Sequence, residues 1–393
     1  MIDTLCILPW VSIETGPLGE IRPCCLARDP VTDDAGIPMH LNKHTLSEAY
    51  NSNYMKDLRQ QFLNGSKPKS CDRCWDEEAA GRTSKRLNSK NRLKNMIKDM
   101  DFTHDTGNNL IFLDLKLGNI CNLKCRICGS YSSSKWAQEE IDIDSSNITA
   151  RANLIAGRWP RESKEFWEDL TLLLPKIRYM EFTGGEPFLI DEHFDLLQQA
   201  VDLGVAGLIE IHYNTNTTQV PKRGLKLWPN FKAVEIALSI DDIGKRFEYQ
   251  RYGAKWTAAI DNLNKFYSLI ANTNNITLQV CLTVNALNIY YLDELAEWVS
   301  HQNFEFVYFN VLHDAWYFNV RNLNDTAKKI INDKFSNYNG PYCNDIIKVI
   351  EFMNQGDGSD CSMLIEVLTN SDIQRNQLFS NHHPEIAKAI GYE

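Results

Sequence analysis

The sequence predicts an α/β protein: a small N-terminal α+β module, a partial, TIM-like (β/α)6 barrel and a helical C-terminal tail. Between about residues 106 and 320, short apolar runs alternate with amphipathic segments, as in parallel βα units. Eight of the eleven cysteines lie before residue 129, in short clusters. Polar motifs follow several predicted strands, at the end of a parallel barrel where active sites assemble.

The composition is that of an ordinary globular protein. With 393 residues, 43% of them hydrophobic and 23% charged, the chain is long enough for two or three domains. No apolar run reaches the length of a membrane span, and the N-terminus lacks the basic start and apolar core of a signal peptide. We therefore expect a cytoplasmic protein without a membrane segment. The net charge of −10 argues against nonspecific nucleic-acid binding.

Residues 1–105 form the predicted N-terminal module. Two short strands are expected around the turn at Gly16–Gly19, followed by a helix from about 46 to 62. The basic stretch 82–98 is expected to be the solvated face of a further helix, with a docking surface for an acidic partner as the alternative. Clustered cysteines in a cytosolic chain favour metal or redox chemistry, and four thiolates here would suit zinc as well as an iron–sulfur cluster: Cys6, Cys24, Cys71 and Cys74.

Residues 106–320 form the predicted barrel. Period-two patterns and short apolar runs predict its strands, and periods near 3.6 predict its helices. The strands are expected at 111–117, 178–183, 208–214, 233–240, 276–284 and 305–311. The helices are expected at 130–142, 163–174, 190–202, 256–270 and 289–301. Cys281 lies inside an apolar run and is interpreted as a core residue.

The first predicted barrel strand leads into the run Cys121-Asn-Leu-Lys-Cys125-Arg-Ile-Cys128. Three thiolates on one tight loop can hold three irons of a four-iron cluster and leave the fourth iron open. A structural zinc site normally closes with four ligands. The open set therefore favours cluster chemistry, with zinc or three unrelated core thiols as the alternatives.

This cysteine run resembles the cluster signature of radical S-adenosylmethionine (SAM) enzymes, and later motifs resemble that family too. Gly184-Gly185-Glu186-Pro187 follows the second strand and resembles the motif that binds the amino group of SAM. The fourth strand ends in Ser239-Ile-Asp241, which resembles the family's Ser-x-Asp strand end. Its Ser239 and the downstream Arg251 resemble the residues that hold the carboxylate and ribose of SAM. Asn285 is an adenine or ribose candidate, with capping of the next helix by Asn288 as the alternative.

One strand end departs from the family pattern. The third strand ends in Tyr-Asn214-Thr-Asn216-Thr217, where the family has a Thr-Asn-Gly sequence and this chain has Thr217 in place of the glycine. Contact between this strand end and the cofactor is therefore not implied, and an ordinary polar strand end is the alternative.

The N-terminal cysteines resemble the opening of SPASM and twitch domains. Cys6, twelve residues, Gly19, four residues and Cys24 match that opening, and Cys71 and Cys74 supply the remaining ligands. The resemblance implies an auxiliary [4Fe–4S] cluster, although such domains usually follow the barrel. A zinc ribbon-like module is the alternative. Cys25 is surplus, because the glycine spacing selects Cys24. Successive strand residues face opposite sides, so one thiol can point at a cluster while its neighbour points away.

The resemblance implies a radical SAM enzyme with two [4Fe–4S] clusters. In this family, one-electron reduction of SAM releases methionine and a 5′-deoxyadenosyl radical, which abstracts hydrogen from the substrate. A peptide or protein substrate is favoured over a small molecule such as a sugar or nucleoside, because the N-terminal module and the basic stretch 82–98 offer surface beyond the barrel mouth. An electron donor such as flavodoxin or ferredoxin is implied. A zinc-stabilised binding module on an inactive barrel is the rival interpretation. No catalytic residue beyond the cofactor sites is identified.

Residues 321–393 predict a helical C-terminal extension. Its apolar spacing predicts helices at 325–335 and 343–355 and a last one ending at Ile390. The extension carries no catalytic motif.

Overall fold

A computed structural model describes residues 3–103 and 109–392. Within these residues, one eight-stranded sheet has the order β2-β1-β3-β4-β5-β6-β7-β8. All neighbouring strands are parallel except β1 and β2, which form an antiparallel hairpin. The strands are β1 Ser12–Thr15, β2 Ile21–Arg22, β3 Phe112–Lys116, β4 Tyr179–Thr183, β5 Glu210–Thr215, β6 Ala233–Ser239, β7 Ile276–Val284 and β8 Phe306–Val311.

The predicted α/β class with a partial, TIM-like barrel is confirmed. The six predicted barrel strands are present in chain order as β3 to β8. The N-terminal hairpin joins the same sheet, because β1 pairs in parallel with β3 through Ser12↔Phe112 and the three following pairs. The predicted boundary between the module and the barrel, at residues 105 and 106, lies outside the described residues, and the division stays a prediction.

Helices cover the sheet and build the tail. The described helices are α1 Leu8–Val11, α2 Leu46–Tyr50, α3 Asn53–Leu63, α4 Asp72–Ala79, α5 Lys85–Arg92, α6 Ser134–Ile143, α7 Ile148–Ala156, α8 Trp159–Glu162, α9 Lys164–Leu173, α10 Asp191–Asp202, α11 Lys222–Leu227, α12 Gly244–Gln250, α13 Trp256–Ile270, α14 Leu292–Ser300, α15 Asp325–Phe335, α16 Cys343–Asn354, α17 Ser362–Arg375, α18 Phe379–His382 and α19 Pro384–Ile390. None of the helices in residues 3–103 and 109–392 is long and apolar enough to cross a membrane.

Local capping explains where two of these helices begin. The helix predicted at 46–62 is two helices, because Ser52 leaves the helical conformation and its hydroxyl accepts the Met55 N–H at 3.3 Å. The helix predicted at 130–142 begins only at Ser134. Ser133 caps it by accepting the Trp136 N–H at 3.3 Å.

The two faces of the sheet differ in polarity because successive strand residues point to opposite sides. Fully buried Leu113, Phe182, Ile211 and Ile236 lie on the apolar face of their strands. The opposite face, called the inner face below, carries a row of ionisable residues at the middle of five adjacent strands. Register pairs Glu14 with Asp114, Asp114 with Glu181, Glu181 with His212, and His212 with Glu235.

Candidate functional site

The cysteine loop, residues 118–133, begins where β3 ends and continues into α6. Its three thiols lie close enough to influence one another. A hydrogen bond between Cys128 and Cys125 lowers the pKa of Cys125 and raises that of Cys128. Burial and the charge of Cys125 raise the pKa of Cys121 to about 12. The structure therefore brings the three predicted ligands together at the carboxyl end of the sheet.

Backbone hydrogen bonds join the cysteine loop to the segment that carries Arg251. The Lys124 N–H donates to the Tyr252 carbonyl at 2.9 Å, and the Arg126 N–H donates to the Gln250 carbonyl at 2.7 Å. On the other side of the loop, the Ser133 hydroxyl donates to the Leu123 carbonyl at 2.7 Å. These bonds satisfy backbone groups in a stretch without regular secondary structure.

The glycine motif after β4 packs directly against the cysteine loop. The Gly185 N–H donates to the Gly118 carbonyl at 3.0 Å, and the Glu186 N–H donates to the Ile120 carbonyl at 2.8 Å. A Cβ at Gly185 would lie 2.3 Å from the Ile120 oxygen, which no side chain tolerates. Gly184 has φ +115°, a conformation that favours glycine. Loop-to-loop packing thus accounts for both glycines, and their contact with a cofactor stays a prediction.

Glu186 is buried below the same loop, and protein donors hold its carboxylate. Oε1 accepts the Thr215 hydroxyl at 2.8 Å and the Phe188 N–H at 3.1 Å, while Oε2 accepts the Asn216 N–H at 2.7 Å. Burial raises its pKa to about 7 against these stabilising bonds. The carboxylate therefore ties the ends of β4 and β5 together.

Thr217 follows the end of β5 and has left-handed backbone, with φ 67°. Glycine enters this region freely, whereas a β-branched residue there is strained. Thr217 is fully buried, and its Oγ1 has no partner among the described residues. The backbone at this position thus has a conformation that favours glycine, although the residue is threonine.

Arg251 lies beside the thiols and pairs with Asp241 at 2.6 Å. Burial alone would lower its pKa, but the charges of Asp241, Cys125 and Cys128 outweigh burial and raise it. Arg251 therefore remains a buried cation next to the cysteine loop. Asp241 was not singled out from the sequence, although it belongs to the same Ser-x-Asp motif as Ser239, the last residue of β6.

Asn285 follows β7 and organises its own turn. Its Oδ1 accepts the Leu287 N–H at 2.9 Å, and its Nδ2 donates to the Thr283 carbonyl at 2.9 Å. Asn288 fastens this turn to β6, donating to the Asp241 carbonyl at 2.8 Å. Asn285 thus has a structural role in the turn, and contact with adenine or ribose stays a prediction.

The four N-terminal candidates also share one neighbourhood. Burial and the charges of Cys71 and Cys74 together raise the pKa of Cys24 to about 12. Burial and the charges of Cys24, Cys71 and Cys74 raise the pKa of Cys6. Cys25 has different neighbours: after burial, Lys85, Asp114 and Lys116 influence its pKa most. The adjacent thiols of Cys24 and Cys25 therefore have different surroundings.

The basic stretch 82–98 is not simply a solvated face, and that expectation was wrong. Helix α5 lies over the inner face, where Lys85 donates to Glu181 at 2.8 Å and Arg92 donates to Glu235 at 2.5 Å. Lys85 also lies 3.8 Å from Asp114. The charges of the helix are attracted to the row of ionisable residues on β3 to β6, so part of its basic face points inward.

A cavity of about 780 Å³ lies between α5 and the inner face. Cys281 lines it, and the interpretation of Cys281 as a core residue was wrong. Val280 and Leu282 point into the apolar core, so Cys281 between them points the other way. Several charged and polar groups of the sheet line the cavity beside it: Glu181, His212, Asn214, Glu235 and Gln279. This wall was missed because its polar residues are spread over four strands, and only the strand register aligns them.

No group of three or more His, Cys, Asp or Glu side chains in residues 3–103 and 109–392 converges as ligands of a single metal ion do. Ligands of one zinc ion meet at a point, whereas a four-iron cluster distributes its thiolates over separate irons.

A comparison with protein families matches the central segment of the chain. Residues 115–297, slightly less than half of the chain, match the family described as the Radical SAM superfamily. This segment contains the cysteine loop, the glycine motif and Arg251. No curated protein matches the chain.

Solved structures give a weaker likeness. Native anSMEcpe with bound AdoMet is 17% identical, covering 57% of this chain and 60% of that one, with a TM-score of 0.41. The same protein with AdoMet and Kp18Cys peptide is 15% identical, covering 57% and 59%, with a TM-score of 0.39. Streptococcus suis SuiB bound to S-adenosylmethionine is 14% identical, covering 74% and 59%, with a TM-score of 0.35. The matches thus span about three fifths of these proteins.

Proposed function

We propose that this chain is a radical SAM enzyme that cleaves SAM reductively and abstracts hydrogen from a substrate. One observation carries the proposal. The cysteine loop, the Gly184-Gly185 turn and Arg251 come from three separate parts of the matched segment and meet at the carboxyl end of one parallel sheet. Active sites of parallel α/β folds form at that end.

The residues fit a [4Fe–4S] cluster and SAM. Cys121, Cys125 and Cys128 would hold three irons and leave the fourth for SAM. Several buried polar atoms at this end have no partner in the described part of the chain, and SAM has polar groups to offer them. These atoms are Thr183 Oγ1, Thr217 Oγ1 and Arg251 Nε.

The side chains of this chain would bind and orient the cofactor. When bound, the cluster and SAM would supply the electron and the 5′-deoxyadenosyl radical. Arg251, paired with Asp241, would present a fixed positive charge to the SAM carboxylate. Ser239, Gly184, Gly185, Glu186 and Asn285 would line the rest of the SAM site.

Cys6, Cys24, Cys71 and Cys74 would hold an auxiliary [4Fe–4S] cluster, as in a twitch domain. Their mutual influence on pKa supports this assignment. Helix α4, which carries Cys74, is fixed to the loop after β8. Arg73 pairs with Asp314 at 2.6 Å, and Glu77 accepts a hydrogen bond from His313 at 3.0 Å. The auxiliary site would therefore be held beside the barrel.

The substrate would bind in the inner-face cavity, which reaches the SAM candidates through Cys281: after burial, the charges of Asp241 and Arg251 influence the pKa of that thiol most. We propose a peptide or protein side chain as the substrate group. The inward-facing α5 removes one reason for expecting a peptide, since part of its basic face is occupied. A small molecule is therefore the second candidate, and a cavity of about 780 Å³ has the usual size of a small-molecule site. An electron donor such as flavodoxin or ferredoxin would reduce the cluster.

Iron analysis tests the two sets of ligands. Anaerobic reconstitution of the full chain should give about eight irons per chain, four for each cluster. Replacing Cys121, Cys125 and Cys128 together by Ala should leave about four. The matched control is a triple variant of Cys281, Cys343 and Cys361, which should keep about eight. An unchanged iron content in the first variant would refute the assignment.

A further inference from the structure

The cysteine loop depends on a part of the chain far from it in sequence. Arg126 is next to Cys125 and is 2% exposed. It donates to the Asp372 carboxylate at 2.6 Å and to the Gln377 side chain at 2.8 Å. Asp372 lies on α17, in the C-terminal tail that offered no catalytic motif.

Asp372 is saturated with donors. Besides Arg126, its Oδ1 accepts the Tyr249 hydroxyl at 2.9 Å. Its Oδ2 accepts the Phe379 N–H at 2.6 Å and the Tyr392 hydroxyl at 2.7 Å. Charge-assisted bonds of this kind are short and directional, so Asp372 fixes the position of the guanidinium.

The Arg126 guanidinium is also fixed from the side. It lies over the Tyr249 ring, 3.7 Å from the ring centroid, and its Nε donates to the Tyr249 carbonyl at 3.1 Å. Tyr249 lies only two residues before Arg251 in the sequence. The same buried arginine thus connects the cysteine loop, the Arg251 segment and the tail.

A second contact reaches the loop from the next turn of α17. Arg375 lies three residues after Asp372, on the same side of the helix, and donates to Glu139 at 2.8 Å. Glu139 also pairs with Lys124, which precedes Cys125. The Arg375 guanidinium lies between the rings of Trp136, at 4.4 Å, and Tyr252, at 4.6 Å. Trp136 in turn donates to the Cys125 carbonyl at 2.7 Å.

We propose that α17 is a positioning element of the cluster site, with Asp372 and Arg375 holding the residues on both sides of Cys125. This inference rests on the proposed function, because it assigns the cluster to that loop. A loop without regular structure needs outside contacts to keep three thiols at fixed positions. Helix α17 supplies two of these contacts, one to Arg126 and one to Glu139, which pairs with Lys124. A buried ion pair adds little net stability, but it specifies one geometry.

The test compares Asp372→Asn and Arg375→Gln with Glu366→Gln. Glu366 is an exposed carboxylate on the same helix and serves as the matched control. Asparagine at position 372 keeps the shape but replaces one acceptor oxygen with a donor. Hydrogen–deuterium exchange of the full chain, before reconstitution, should be about tenfold faster in residues 119–134 for both variants than for the control. Exchange in β4 should stay unchanged.

Reconstituted protein gives the second readout. Both variants should lose iron to a chelator about tenfold faster than the control, and the electron paramagnetic resonance of the reduced cluster with SAM should change. Exchange and iron loss equal to the control would overturn the inference, as would faster exchange in β4 as well as the loop. If the loop loosens but even the wild type holds no cluster there, the positioning stands and the proposed function fails.

Discussion

Thr217 has a backbone conformation that costs an L-amino acid about 1–2 kcal/mol. Replacing it by glycine removes that strain, while replacing it by alanine keeps it. We therefore predict that Thr217→Gly is more stable than Thr217→Ala by about 1 kcal/mol, measured by urea unfolding. Thr215, in the extended backbone of β5, is the matched control, and there alanine should be the more stable replacement. The same order at both positions would contradict the strain at Thr217.

The buried Glu186 carboxyl makes stability depend on pH. Its folded-state pKa of about 7 lies above the ordinary 4.5, so the folded chain binds this proton more tightly than the unfolded chain. The resulting stabilisation is complete below about pH 4.5 and is lost as the pH rises through about 7.

Glu186→Gln removes this titration without changing the shape of the side chain. Between pH 5.5 and 8, the unfolding free energy of the wild type should fall by about 2 kcal/mol relative to that of the variant. Urea unfolding without added SAM measures both. Parallel pH profiles would mean that Glu186 keeps an ordinary pKa in the folded chain.

At the residue scale, the sequence predicted which end of the sheet these side chains occupy, but it did not predict their contact partners. Spacing after strands placed Cys121, Gly185 and Arg251 at one end of the sheet, because parallel strands share that end. The partners came from longer-range packing. Gly185 faces the Ile120 carbonyl and Arg251 pairs with Asp241, and neither contact follows from local pattern.

Helix α5 is held to the inner face by ion pairs whose loss should be costly. Lys85 is 21% exposed on its side chain and faces Asp114 and Glu181. We predict that Lys85→Met lowers the unfolding free energy by about 3 kcal/mol, because two buried carboxylates lose their cation. The exposed Lys94 is the control, and Lys94→Met should change it by less than about 0.5 kcal/mol.

A double variant separates lost charge pairing from lost packing. Adding Glu181→Gln to Lys85→Met removes one of the unpaired carboxylates and should recover part of the lost stability. If the double variant is as unstable as the sum of the two single variants, the ion pair does not hold α5.

At the element scale, helices with an apolar stripe were found and α17 was missed. The buried side of α17 starts with Leu364 and Leu368 but continues with Ser371, Asp372 and Arg375. Polar residues on the buried side erase the apolar period that predicts a helix. The row of ionisable residues on the inner face was missed for a related reason, since each member belongs to a different strand.

At the scale of the whole molecule, two groups of cysteines would hold two clusters, and both groups lie in segments connected to one continuous sheet. The adjacent residues Cys24 and Cys25 have different neighbours. The Cys24 thiol is near Cys71 of the auxiliary group, whereas the Cys25 thiol is near Lys85 at the inner face. We predict that Cys24→Ala loses about four irons, whereas Cys25→Ala keeps about eight. The reverse result would assign the ligand to Cys25.

The fold class was predictable because it depends on alternating strand and helix patterns, which are local. The sharing of the sheet by the N-terminal hairpin was not, since the pairing of β1 with β3 joins residues about a hundred positions apart. The contact between the tail and the cysteine loop joins residues even farther apart in the sequence, since Arg126 and Asp372 are 246 positions apart.

The central claim is that Cys121, Cys125 and Cys128 hold the cluster at which SAM is cleaved. The most direct measurement is the yield of 5′-deoxyadenosine from SAM and a strong reductant, with anaerobically reconstituted protein. The wild type should form it and the triple Ala variant of these cysteines should not, while Cys343→Ala, in the tail, should match the wild type. Formation of 5′-deoxyadenosine by the triple variant at the wild-type rate, or none by the wild type, would contradict the account.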